Sequence, residues 1–138
     1  MAKRNTSTGG VLEAMVLPAL DRGGYPYKVQ VNIGKRIGEG QHFVDVVASK
    51  NGREILVSMK WQQVSGTAEQ KVPFEVICLL AAVTEGRFEK AYLVLGGEGW
   101  KLRDYFCGGD LEKYILYKGK VEILTLEGFV AKANAGKL

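Results

Sequence analysis

The order of apolar and polar positions predicts a helix followed by three strands. Apolar residues recur at helical spacing from Leu12 to Leu20, until Arg22-Gly23-Gly24 ends the repeat. Tyr27–Ile33 alternates apolar and polar side chains, which is typical of a strand with one covered face. The glycine-punctuated loop Gly34–Gln41 leads to a second strand, His42–Ala48, and then to a third.

The rest of the chain predicts a long helix, a buried strand and peripheral elements. Thr67–Thr84 carries an amphipathic pattern that Glu85-Gly86 closes, and Ala91–Leu95 is apolar throughout, as in a central strand. A strand, a helix and a strand in succession predict a right-handed crossover with parallel strands. Beyond Trp100 we expect four pieces: a short helix, a helical turn around Leu111–Tyr117, a strand at Val121–Leu124, and a helix ending near Gly136.

The dipeptide Asn51-Gly52 fixes how the second and third strands meet. Asn-Gly between apolar runs indicates a two-residue type I′ hairpin, because both central residues need positive φ. Lys50 then pairs with Arg53, and Asp45 lies opposite Ser58.

Alternation along the third strand, Glu54–Gln62, places Ser58, Lys60 and Gln62 on one face. Asp45 and Lys60 become diagonal neighbours at roughly 7–8 Å, within reach of one metal ion or phosphate. The alternative is an ordinary cross-strand ion pair on a solvated sheet face. His42 is expected on the face opposite Asp45, as a packed or surface ring.

Composition bounds the class of protein. A chain of 138 residues suits a single domain, predicted over residues 9–138 and preceded by a basic arm, residues 1–8, that contains Lys3 and Arg4. The net charge of +4 and the pI near 9.1 favour a polyanionic partner.

Cysteine usage and hydropathy predict the compartment. Cys78 and Cys107 are interpreted as two buried, reduced thiols, which fits an intracellular protein. The first ten residues lack an apolar signal region, and no apolar run approaches membrane-spanning length. We therefore expect a soluble, cytoplasmic protein.

An acid on the first helix, an aspartate on the second strand and a lysine on the third resemble the PD-(D/E)XK nuclease superfamily, over roughly residues 9 to 95. Asp45 takes the place of the motif's aspartate, and Ser58-Met59-Lys60 that of its acid-x-lysine tripeptide. Glu13 corresponds to the helix-one glutamate of resolvase-like members. The resemblance implies an α/β, restriction-endonuclease-like fold: an α-β-β-β-α-β core with a mixed central sheet flanked by helices.

Two departures from the motif matter. Val44 replaces the motif's proline, which is a minor loss, and Ser58 replaces the acid, which is not. A serine hydroxyl does not neutralise a divalent cation, so a second carboxylate is needed. We favour Glu13. The alternatives are Glu69 and Glu75 at the edge of the next helix's apolar face, since some restriction enzymes with Ser-x-Lys take a glutamate from that helix.

The resemblance implies a Mg²⁺-dependent endodeoxyribonuclease, with Mn²⁺ as a substitute metal. Asp45 and Glu13 would bind the metal together with the Met59 carbonyl. Lys60 would orient or deprotonate the attacking water, and Gln62 would hold water or a phosphate. Ser58 completes the predicted site.

The implied partner is DNA, double-stranded or branched, contacted through phosphates by Lys35, Arg36, Lys3 and Arg4. Cutting both strands implies a homodimer or higher homo-oligomer, because one small copy can hardly flank a duplex. Restriction, homing and junction-resolving enzymes all share this core. Ser58 motivates the rival hypothesis of a DNA-binding module that kept the fold and lost the chemistry.

Overall fold

The computed structural model describes residues 8–138 and contains a five-stranded sheet with helices on both faces. The first helix consists of α-helical Thr8–Val11, π-helical Leu12–Val16 and α-helical Leu17–Gly23. The strands are β1 Tyr27–Lys35, β2 Gln41–Lys50, β3 Arg53–Trp61, β4 Lys90–Gly96 and β5 Val121–Thr125. The long helix spans Ala68–Thr84, a short helix Arg103–Cys107, a 3₁₀ turn Asp110–Lys113, and the last helix Leu126–Asn134.

The sheet is mixed, as the sequence predicts. Its strand order is β1-β2-β3-β4-β5, with β1, β2 and β3 antiparallel to one another in turn. The long helix crosses over to β4, which is parallel to β3, and β5 continues parallel to β4. The α/β class and the parallel crossover are confirmed.

The predicted hairpin is also confirmed. Asn51 and Gly52 have φ angles of 55° and 78°, the left-handed values that a type I′ turn requires. Lys50 pairs with Arg53, and the β2–β3 ladder runs back to the pair Val46 and Val57. It ends there, one position before Asp45 and Ser58, so the two strands part where the motif residues begin.

Each face of the sheet has its own apolar core. The long helix covers one face, and that core contains Val44, Val47, Leu56, Val72, Val76, Leu79 and Leu93. The first and last helices cover the other face, and that core contains Leu12, Val16, Leu20, Val46, Val57, Met59, Tyr92 and Phe129. Alternation along β3 therefore directs Leu56 and Ser58 toward the long helix, and Val57 and Met59 toward the first helix.

The π-helical segment of the first helix ends two residues before Pro18. The Leu17 N–H donates to the Leu12 carbonyl, a five-residue step, and Pro18 follows at the start of the next α-helical segment. Proline has no N–H to continue the ladder, so the helix changes its hydrogen-bond spacing at this point.

Beyond Trp100 the prediction is correct in type but wrong in one boundary. The second helical turn is Asp110–Lys113 rather than Leu111–Tyr117. The chain leaves the helix because Tyr117 is buried in the core, and the Glu112 carboxylate accepts the Tyr117 N–H at 3.2 Å.

The two cysteines are free, as expected, although Cys107 is only partly buried. Within residues 8–138, no helix is long and apolar enough to cross a membrane.

Candidate active site

A pocket of about 350 Å³ opens where β2 and β3 part. Its walls come from the start of the β1–β2 loop, from β2, from β3 and from the long helix. The lining residues are Arg36, Gln41, His42, Phe43, Asp45, Ser58, Met59, Lys60 and Glu75.

Asp45 closes the parted end of the hairpin with its side chain. Its Oδ2 accepts the Met59 N–H at 2.7 Å, so a carboxylate replaces the next backbone contact between β2 and β3. A strand residue's N–H and C=O point to the same side, so the Met59 carbonyl is also directed toward Asp45. The other oxygen, Oδ1, accepts from Gln30 Nε2 at 3.4 Å.

Gln30 supports Asp45 from a strained position. It lies in β1 with φ of 52°, one of two non-glycine residues with positive φ in residues 8–138. Such a conformation costs free energy and persists where the surrounding structure enforces it, often beside functional groups.

The carboxyl group of Asp45 has a raised pKa. Burial is the main cause, and the neighbouring charge of Glu75 adds to it. The Met59 and Gln30 hydrogen bonds and the Lys60 charge act in the opposite direction without cancelling the effect of burial. Two carboxylates that repel each other beside one ammonium group form a place where a cation would be stabilised.

Glu75 reaches the pocket from the long helix. Its side chain is 12% exposed, and its Oε2 accepts from Ser58 Oγ at 2.9 Å and lies 3.5 Å from His42 Nε2. Burial alone would raise the pKa of Glu75. The His42 hydrogen bond, the Lys60 charge and the Ser58 hydrogen bond outweigh burial and lower this pKa below its ordinary value.

The predicted convergence of Asp45 and Lys60 is confirmed. Both side chains line the same pocket, and the Lys60 charge acts on both Asp45 and Glu75. Ser58, at the position of the missing acid, hydrogen-bonds the helix carboxylate.

The predicted catalytic role of Gln62 is not supported by its contacts. Gln62 is 6% exposed; its Nε2 donates to the Gly99 carbonyl at 2.9 Å and to Glu69 Oε2 at 3.4 Å. Its Oε1 accepts the Ala68 N–H at 3.0 Å, at the start of the long helix. The amide therefore joins the loops after β3 and β4, and both of its N–H groups are donated within the protein, so neither is left for a phosphate.

Glu69 is equally committed to structure. Its Oε1 accepts the Leu102 N–H at 2.7 Å, and its Oε2 accepts the Lys101 N–H at 2.9 Å. The Lys101 hydrogen bond is the largest cause of its lowered pKa, which the Leu102 hydrogen bond also lowers. Of the two alternatives on the long helix, Glu75 lines the pocket and Glu69 does not.

Glu13 is exposed on the π-helical segment of the first helix. That helix packs on the sheet face toward which Val57 and Met59 point, and Glu13 is not among the residues that line the pocket. The structure therefore does not bring Glu13 together with Asp45, contrary to the expectation from the sequence.

The face expected for His42 was wrong. The ring is packed, at 5% exposure, but it contacts Glu75 and lines the pocket beside Asp45. Strict alternation misassigns it because β2 is irregular near Asp45: Val44 and Val46 belong to the cores on opposite faces of the sheet. The sequence carries no local signal for this irregularity.

Of the predicted DNA contacts, Arg36 is at the pocket. It is exposed, lines the pocket, and its guanidinium carbon lies 6.0 Å from the centre of the Phe74 ring. Lys35 is exposed at the end of β1 and lines a neighbouring hollow instead. Lys3 and Arg4 lie outside the described residues.

The donor set fits a hard, oxygen-binding cation. Residues 8–138 contain no group of three or more His, Cys, Asp or Glu side chains arranged to hold a metal. Two carboxylates, a backbone carbonyl and water are nonetheless the ligand set that Mg²⁺ takes, since it retains several waters.

This fold and this pocket are those of a nuclease-like domain, and the sequence comparison agrees. The sequence-family model of the PD-(D/E)XK nuclease superfamily domain matches residues 4–137 of this chain. The chain belongs to this superfamily, whose members are generally nucleases and typically use divalent metals.

The crystal structure of AF1548, a protein of unknown function, is similar in fold. The TM-score is 0.53 at 13% sequence identity, over 80% of this chain and 54% of that one. The chain thus spans about half the length of this structural relative. No curated protein sequence matches the chain significantly.

Proposed function

We propose that this protein is a Mg²⁺-dependent endodeoxyribonuclease that hydrolyses phosphodiester bonds in DNA. The observation that carries the proposal is the meeting of Asp45, Glu75 and Lys60 in one pocket of a PD-(D/E)XK fold. An acid on β2, a lysine on β3 and a second acid are the groups that this chemistry requires.

Asp45 and Glu75 would hold the cation, with the Met59 carbonyl on the same side. Glu75 here takes the place that the sequence pattern assigned to Glu13, since Ser58 brings it into the pocket. A bound Mg²⁺ would supply a nucleophilic water near neutral pH and relieve charge on the phosphate oxygens. Mn²⁺, which accepts the same oxygen ligands, is expected to substitute.

Lys60 would orient or deprotonate the attacking water, or stabilise the charge that develops on the phosphate. The influence of its charge on both carboxylates supports a position near both of them. Ser58 would act indirectly, by holding Glu75.

DNA would approach the open side of the pocket. Arg36 at the pocket, Lys35 beside it, and the basic Lys3 and Arg4 would contact phosphates, and the net charge of +4 favours that approach. Binding would weaken steeply with salt. A homodimer or higher homo-oligomer would supply the paired pockets needed to cut both strands.

Incubating the protein with supercoiled or branched DNA, in the presence of Mg²⁺ or Mn²⁺, tests this proposal. The wild type is expected to nick, while Asp45→Ala and Lys60→Ala are expected to lose nicking and remain folded. Lys71→Ala is the matched control, because it removes one exposed positive charge from the long helix outside the pocket.

Preference for branched over linear DNA would distinguish a junction-resolving enzyme from a restriction or homing type. The second candidate, a DNA-binding module without activity, is favoured by Ser58 at the acid position. Binding that persists without nicking at any metal concentration would support it and refute the nuclease.

A further inference from the structure

His42 is a buried polar side chain that the proposed reaction leaves without a role. It is the single histidine of the 138 residues, it is 5% exposed, and it lies on β2 three residues before Asp45. Its Nε2 is 3.5 Å from Glu75 Oε2.

The contact has a defined direction. An ionised carboxylate only accepts hydrogen bonds, so the His42 nitrogen that faces it must carry the proton and donate. Ser58 Oγ donates to the same oxygen at 2.9 Å. Two donors, one from β2 and one from β3, therefore meet on Oε2 of a glutamate that comes from the long helix.

The other oxygen of Glu75 is left available. No hydrogen bond to Oε1 occurs within residues 8–138, although Glu75 lines the pocket beside Asp45 and Lys60. A single contact at Oε2 would let the carboxylate turn about it, whereas two donors on different strands fix its orientation. The direction of the free oxygen, Oε1, is then fixed as well.

We propose that His42 is a positioning residue: with Ser58 it holds Glu75 by Oε2 and presents Oε1 to the divalent cation. This inference rests on the proposed function, because it assumes that Glu75 is a metal ligand. Glu75 is then held from two strands, by His42 on β2 and by Ser58 on β3. Residues of β2, β3 and the long helix together orient this one metal ligand.

The test measures metal binding without DNA. Mn²⁺ affinity is determined by electron paramagnetic resonance for the wild type, His42→Leu and His42→Gln. His42→Leu fills the buried space without a donor, and its Mn²⁺ dissociation constant is expected to rise about tenfold. His42→Gln keeps an N–H near the position of Nε2 and is expected to stay within about threefold of the wild type.

Nicking measured against metal concentration gives a second readout. The rate of His42→Leu should approach the wild-type rate when the metal is saturating, because the defect is in binding. A merely structural histidine would change the unfolding midpoint and leave the metal dissociation constant unchanged. Should His42→Leu fail to fold, His42→Asn replaces it, since its shorter amide does not reach Glu75 and predicts the same weakening.

The outcomes separate this inference from the proposed function. If Asp45→Ala loses Mn²⁺ binding while a folded His42→Leu or His42→Asn binds like the wild type, the positioning role is refuted and the metal site is kept. If the wild type binds no Mn²⁺, or Asp45→Ala binds it equally well, the metal site is refuted and the positioning role with it.

Discussion

Glu69 and Glu75 lie on the same helix, and both side chains are largely buried, yet their surroundings differ. Both oxygens of Glu69 accept backbone N–H groups from the Lys101–Leu102 loop, and Gln62 adds a third donor. Glu75 accepts side-chain donors on Oε2 alone, within the described residues. The same residue type thus serves as a structural clamp where both of its oxygens accept hydrogen bonds, and as a candidate ligand where one oxygen is left over.

The largest expected effect is the loss of DNA nicking in the variant Glu75→Gln. The amide keeps the shape of the side chain but removes the charge that would hold the cation, so nicking should fall at least about 100-fold. Single-turnover nicking of supercoiled DNA measures the loss, and urea unfolding shows whether stability is retained. Activity near the wild-type level would remove Glu75 from the site and return Glu13 to consideration.

Glu69→Gln should show the opposite pattern. An amide offers one acceptor where the carboxylate offers two, so one of the two loop N–H groups loses its partner. We expect a loss of about 2 kcal/mol in the free energy of unfolding. Urea denaturation gives this value, and Mn²⁺ affinity should stay unchanged. A stable variant with weakened metal binding would mean that the two glutamates have been assigned the wrong way round.

The difference in stability between wild type and Glu69→Gln should depend on pH. The hydrogen bonds from Lys101 and Leu102 lower the pKa of Glu69 in the folded state, so its contribution is present above the ordinary pKa of 4.5. That contribution is lost as the pH falls through the lower folded value. Urea unfolding from neutral to acidic pH should therefore show the two proteins converging. A constant difference across that range would mean that the two N–H groups do not stabilise the ionised form of Glu69.

The smallest expected effect comes from Gln30→Gly. Glycine adopts the φ of 52° without strain, so stability should rise by up to about 1 kcal/mol. The loss of the hydrogen bond to Asp45 should lower the nicking rate by a few-fold. Gln30→Asn is the matched control for the side chain. It keeps an amide group, and asparagine tolerates positive φ better than most residues. A variant that is less stable than the wild type would show that Gln30 is not strained.

Local patterns predicted most of the fold because they act over short distances. The positive φ required at Asn51 and Gly52 fixed the hairpin register, and the alternation in β3 placed Ser58 and Lys60 on one face. The site was harder because its second acid depends on how the long helix is rotated against the sheet. Helical spacing among Val72, Val76 and Leu79 turns Glu75 toward the sheet, but its contact with Ser58 is set by tertiary packing.

The roles of Gln62 and Glu69 could not be read from the sequence for a related reason. Their partners after β4, Gly99, Lys101 and Leu102, are more than thirty residues away and belong to a loop without regular structure. Only the docking of that loop against the start of the long helix reveals that both side chains hold the loop through hydrogen bonds.

Under the proposed function, the contact between Ser58 and Glu75 makes completion of the metal site depend on the docking of the long helix. During synthesis the β2–β3 hairpin leaves the ribosome before the long helix, so a nascent chain presents Asp45 and Lys60 without their second carboxylate. The pocket is completed only when the helix docks on the sheet. Under the proposed function, an incomplete chain would lack the metal-binding carboxylate of Glu75, and Mg²⁺ or Mn²⁺ added to the finished protein should raise its thermal unfolding midpoint.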